Sequence, residues 1–137
     1  MWKKEGILNR EIKLLKNYKK IFDKIYLITY DNVQSVKIND HDIKILSNYR
    51  DLQPFIYSIF LPFIHLSSLK KADLFYTLQL PGVWSAILAK IIFRKPLVVR
   101  CGYEWSAFKR AENKFFHYIF AKLVEILAYM ISDKIIV

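Results

Sequence analysis

Short, almost unbroken apolar runs alternate along this chain with longer stretches of helical period, and that alternation leaves few folds open. The clearest runs are Lys24 to Tyr30 (KIYLITY), Ala72 to Leu78 (ADLFYTL) and Leu97 to Cys101 (LVVRC). Ile43 to Leu46 (IKIL) is a weaker one, and Lys134 to Val137 (KIIV) looks like the start of another. Runs this short, β-branched and aromatic, and lacking strict polar alternation, are what strands covered on both faces require.

Between them lie helical patterns. Leu8, Ile12, Leu15 and Tyr18 recur at steps of four, three and three among Lys and Arg residues, which predicts an amphipathic helix from about Glu5 to Lys20. Gln53 to Leu69 has helical length, with Pro62 expected to kink or split it. Pro81-Gly82 opens a helix through Val83, Ile87, Leu88, Ile91 and Ile92, which Arg94-Lys95-Pro96 should break. Tyr103 to Asn113 reads as a loop with room for one short helix, and a long amphipathic helix follows from about Lys114 to Ile131.

Strands alternating with helices predict an α/β fold: a Rossmann-like, mostly parallel sheet flanked by helices. The expectation is that 24–30, 73–78 and 97–101 share one sheet. The 137 residues suit one domain, spanning 1–137. A doubly wound sheet ordinarily starts with a strand feeding a glycine-containing turn. Here the chain opens on a helix, so the expectation is a partial domain, missing its first strand and whatever follows Val137.

Composition narrows the function classes. An apolar fraction of 54% with 3 Gly and 4 Pro argues against disorder. The 22 basic against 12 acidic residues give a formal charge of +10, which draws anionic partners: nucleic acid, acidic lipid or a phosphorylated substrate. A solvated basic surface is the plain alternative. Cys101 is the one cysteine, and no Cys/His cluster has metal-ligand spacing, so no metal is expected and a cytosolic compartment is favoured. His41, His65 and His117 sit in separate segments and read as core or surface residues. The run Pro54 to Leu66 is shorter than the roughly 20 residues a membrane span needs and holds Pro54, Pro62 and His65. No phosphate loop, dinucleotide fingerprint, nucleophile elbow, zinc-protease or RNA-binding signature occurs, and no nucleic-acid partner is expected.

The densest polar constellation is Arg100-Cys101-Gly102-Tyr103-Glu104-Trp105-Ser106, at the carboxyl end of a predicted strand. Open α/β sheets bind ligands just outside such ends, and Gly102 would allow a sharp turn there. Arg100 can grip phosphate or carboxylate, Tyr103 and Trp105 can stack on a sugar face, and Glu104 and Ser106 can bond hydroxyls. The plain alternative is a surface loop whose arginine pairs with Glu104 or Glu112. Gln79-Leu80-Pro81-Gly82 is a second candidate, equally readable as an ordinary strand-to-helix turn; Glu5-Gly6 with Arg10 is a third.

Taken in order, these segments resemble the N-terminal domain of a GT-B glycosyltransferase, in particular the large retaining group called family 4. The resemblance rests on the opening helix with Gly6 and Arg10-Glu11, on KIYLITY, on ADLFYTLQLPGVWSAILAKIIFRKPLVVRCGYEWS and on the closing helix with SDKIIV. It covers most of the chain from Glu5, and KPLVVRCGYEWS is its most specific part. It implies a nucleotide-sugar donor and a glycan or lipid-linked acceptor, with no cofactor. By resemblance, Gly6 would approach the donor diphosphate, while Gln79, Arg100, Gly102, Tyr103, Glu104 and Ser106 would face the acceptor. The paired glutamates of the donor site would belong to a second, C-terminal domain, without which the chain would be inactive. Such transferases often work on the cytoplasmic side of the membrane, which the basic helices suit; a non-catalytic basic module binding a membrane surface or a protein is the alternative.

Overall fold

The computed structural model describes residues 13–30, 40–78, 80–102 and 104–137. The chain forms an α/β fold with two small parallel sheets flanked by helices, divided between two compact units, 1–57 and 58–137.

In the first unit, α1 is helical over the described residues 13–18 and buries Leu15. Strands β1 (Ile25–Ile28) and β2 (Ile43–Leu46) pair in parallel, Ile25 opposite Ile43 and Ile28 opposite Leu46. The polar stretch before β2 has a structural task. The Lys19 ammonium donates to Asp40 at 2.6 Å and pairs with Asp42 at 2.9 Å, while the Asp42 amide donates back to the Asp40 carboxylate. This side-chain turn, together with the Ile25 amide bonded to the Asp42 carbonyl, sets where β2 begins. The Lys19 hydrogen bond also holds the Asp40 carboxyl below its usual range.

Helix α2 (Pro54–Ile64) spans the boundary between the units, and α3 (Leu66–Lys71) follows. The helix is interrupted, as Pro62 leads one to expect, but the break falls at His65 rather than at the proline. Pro62 cannot donate an amide hydrogen to the turn before it, yet His65 still donates to the Leu61 carbonyl at 3.1 Å, so the helical path survives through the proline. The His65 carbonyl then accepts from Ser68 and Leu69, which starts a new turn.

The second unit carries β3 (Phe75–Thr77), a 3₁₀ turn at Leu80–Gly82, α4 (Val83–Phe93), β4 (Leu97–Arg100), α5 (Trp105–Ala111), α6 (Phe115–Ile131) and β5 (Lys134–Ile136). The strand order is β3-β4-β5, all parallel, with Thr77 opposite Val99 and Arg100 opposite Ile136. Leu97 and Val99 are fully buried in central β4. Val83, Ile87 and Ala89 form the buried stripe of α4, and Ala121, Val124, Glu125 and Ala128 that of α6. Arg94 closes α4 in the left-handed conformation, φ 54°, donating to the Lys90 carbonyl, and Pro96 prevents continuation.

One expectation is corrected. Residues 25–28 do not join the sheet of β3 and β4: their ladder partner is β2, and the two ladders are distinct. An apolar run specifies that a strand is covered, while its neighbour is decided by which backbone groups the connections bring into register. The segment after Gly102, expected mainly as loop, is helical over Trp105–Ala111.

Candidate functional site

The carboxyl end of the β3-β4-β5 sheet gathers the polar residues singled out from the sequence. Strand β4 alternates, with Leu97 and Val99 buried on one face and Val98 and Arg100 half-buried on the other. The Arg100 amide reaches the Thr77 hydroxyl at 3.4 Å, and the Cys101 amide donates to the Ile136 carbonyl at 2.8 Å, so all three strands stay tied at this edge. Among the described residues, no acidic side chain pairs with the Arg100 guanidinium. The alternative partner Glu112 is taken by Lys109 at 2.8 Å and Lys114 at 3.2 Å, which lower its carboxyl below the usual range. Glu104 is exposed at the start of α5, and its side chain makes no capping bond.

Other members have different tasks. Ser106 is buried, and both its amide and its hydroxyl donate to the Glu125 carboxylate, at 2.8 and 2.6 Å. Glu125, only 1% exposed in the apolar stripe of α6, thus does for α5 what an N-cap side chain would do, from a neighbouring helix. Ser106 is committed to that contact, and the geometry gives its hydroxyl a structural part. Gly102 adopts no positive φ, and a Cβ there would meet nothing within 4 Å. The chain bends at Gly102, but in a backbone conformation and with open space that do not require glycine. Trp105 stacks edge-on against Phe120 at 6.1 Å. Gln79, Tyr103 and Gly6 lie outside the described residues.

Sequence reasoning missed two side chains here. The Tyr129 hydroxyl sits 3.5 Å from the Cys101 sulfur, and that hydrogen bond, with burial next, pushes the phenol above its usual range. Glu125 left a signal: an acid at the centre of a helical stripe otherwise made of Ala121, Val124 and Ala128 must find a buried donor. Nothing local pointed to Tyr129.

The second candidate, after β3, opens through the 3₁₀ turn into α4, whose first residue follows Gly82 with no side-chain cap. Leu80 and Val83 are buried there. Elsewhere in this unit, an open hollow of about 390 Å³ at the amino end of the sheet is lined by Lys90, Arg94, Lys95, Pro96 and Asp133. Its Lys90 and Asp133 are bonded to each other. No group of metal-ligating side chains occurs among the described residues, and no helix among them is long and apolar enough to cross a membrane. No family model, curated protein or solved structure matches the chain.

Proposed function

We propose that this chain is the acceptor-side part of a GT-B glycosyltransferase, of the retaining family 4 type, that transfers a sugar from a nucleotide-sugar to a glycan or lipid-linked acceptor. The observation that carries the reading is Arg100 at the end of the central parallel strand, its guanidinium unpaired with any described acid, followed directly by exposed Gly102 and Glu104. A bidentate cation beside an exposed carboxylate can hold a phosphate or carboxylate and a sugar hydroxyl at once. The position agrees with the general rule that open parallel sheets bind ligands beyond the carboxyl ends of their strands.

In this reading Arg100, Glu104, Tyr103 and Gln79 position the acceptor, Gly6 approaches the donor diphosphate, and a C-terminal domain supplies the rest of the donor site. No metal or cofactor is invoked, since the nucleotide-sugar is itself a substrate. The enzyme would act on the cytoplasmic side of a membrane, where lipid-linked acceptors present their headgroups.

The test is transfer by the full-length gene product, with uridine- and guanosine-diphosphate hexoses as donors and a polyprenyl-diphosphate sugar or a soluble oligosaccharide as acceptors. Arg100→Ala and Glu104→Ala should raise the acceptor KM on the order of tenfold to a hundredfold, the loss of one charge-assisted contact, with donor KM little changed. Equal acceptor kinetics in both variants would make this edge structural.

A further inference from the structure

Helix α6 has two apolar faces, one buried and one largely exposed, with Phe120 at its edge against Trp105. Ala121, Val124, Glu125 and Ala128 pack inward, where the helix lies against α4 and α5. On the other side Phe116, Ile119, Phe120, Leu123, Leu127 and Met130 stand at i, i+3, i+4, i+7, i+11 and i+14 and are all exposed, Phe116 at 83% and Met130 at 76%. At 100° per residue these six fall within about a third of the helix circumference, turned away from the buried stripe. A contiguous apolar face on a soluble surface marks an interaction site.

The charges around it identify the occupant. Between Trp105 and Ile131 there are four cations, Lys109, Arg110, Lys114 and Lys122, against two acids, Glu112 and Glu125. Glu125 is buried on Ser106, and Glu112 is neutralised by Lys109 and Lys114. Lys122 is exposed but lies 3.9 Å from the Glu125 carboxylate, and Arg110 is exposed and in no ion pair with a described residue, so the segment from Trp105 to Ile131 keeps a net positive charge. At the first turn of α6, an open hollow of about 440 Å³ is lined by Arg110, Asn113, Lys114, Phe115 and Tyr118, cations beside aromatic rings. The 17 residues of α6 span about 25 Å, short of a bilayer's hydrocarbon core, and one face is already fixed to protein. Such a helix can lie on a membrane without crossing it.

We infer that α6 lies in the plane of an acidic lipid surface, its Phe116-to-Met130 face immersed at the acyl boundary and Arg110, Lys114 and Lys122 at headgroup level. The inference is independent of the transferase reading and concerns a different helix from the Lys-rich first one. The apolar face of α2, with Phe55, Phe60 and Phe63 exposed, has no charged residue within the helix and is not assigned to this contact.

The test is co-sedimentation of the 137-residue chain with phosphatidylcholine vesicles, with and without phosphatidylglycerol. Binding should require the acidic lipid and weaken as salt is raised, because the headgroup attraction is screened. The triple variant Phe116→Ser/Leu123→Ser/Met130→Ser changes only exposed positions, so its circular dichroism should match the parent while binding falls at least about tenfold. Arg110→Gln and Lys122→Gln should each cost about fivefold. Phe116→Leu, which keeps the apolar face, should retain binding. Equal binding to both lipids, no binding, or parental binding by the triple variant would overturn the inference. So would sedimentation velocity showing a parental dimer that the triple variant dissociates, since a second copy would then be the occupant.

Discussion

The two ends of the β3-β4-β5 sheet are built from similar residue types and treat them in opposite ways. At the amino end, the Lys90 ammonium donates to the Asp133 carboxylate and to the Ile131 carbonyl at 2.7 Å; the Leu97 amide donates to Asp133 at 2.7 Å, and the Asp133 amide to the Leu97 carbonyl. One lysine and one aspartate thereby fasten α4, α6, β4 and β5 together. At the carboxyl end, Arg100 and Glu104 enter no ion pair with a described residue. Charged side chains spent on the scaffold are bonded at once to several backbone groups; those left at a strand's carboxyl edge are available to a ligand. Position in the parallel sheet, more than residue type, separates the two.

The largest effect on this contrast should come from Glu125, which belongs to the carboxyl end yet is bonded as fully as the amino-end pair. Glu125→Ala strands the Ser106 amide and hydroxyl in a buried site, and we expect about 3 kcal/mol or more of lost stability. Ser106→Ala should cost about 1.5 to 3 kcal/mol, because it removes one hydrogen bond to a buried carboxylate. Urea unfolding measures both, and a Ser106→Ala variant as stable as the parent would return that hydroxyl to the list of free ligand groups.

The amino-end fastening should be sensitive to acid. Hydrogen bonding from Lys90, and then from the Leu97 amide, holds the Asp133 carboxyl below the usual aspartate range. A carboxyl depressed on folding contributes stability that is fully present above its unfolded pKa, about 3.9, and is lost as pH falls through the lower folded value. Asp133→Asn should therefore have a lower urea midpoint than the parent at neutral pH. The gap should start to narrow near pH 4, where the unfolded chain's carboxyl takes up its proton, and close as pH falls through the lower folded value. A gap that stays constant with pH would detach Asp133 from the fastening.

The smallest effect is expected at Gly102. With no positive φ and open space around a Cβ, Gly102→Ala should leave stability within about 1 kcal/mol of the parent, on the stabilising side if anything. A marked loss would mean that the turn after β4 does need glycine.

Much of the fold is legible along the chain because its signals are local. Pro96 and the run Leu97 to Arg100 announce β4, the Val83, Ile87, Leu88, Ile91 and Ile92 pattern announces α4, though Ile91 and Ile92 turn out to be exposed, and Arg94-Lys95-Pro96 ends it. What escaped depends on distance in sequence. β1 takes its hydrogen bonds from β2, the weaker run in the sequence, and not from the clearer runs of the second unit. α5 forms with an N-terminal partner 19 residues away on α6, which no capping residue at Glu104 reveals. The site is legible to the same degree: the strand-end location of Arg100 follows from the run before it, while the capture of Ser106 follows from Glu125.

The most direct test of the two-ended account is an amide chemical-shift map of the isotopically labelled chain, titrated with a polyprenyl-diphosphate sugar and separately with a soluble oligosaccharide. The account predicts that one of the two moves the amides of residues 77–78, 100–104 and 136–137, leaves those of Leu97 and Asp133 in place, and loses its effect in Arg100→Ala. Shifts centred on Lys90, Leu97 and Asp133, or shifts at the carboxyl edge that persist in Arg100→Ala, would contradict it.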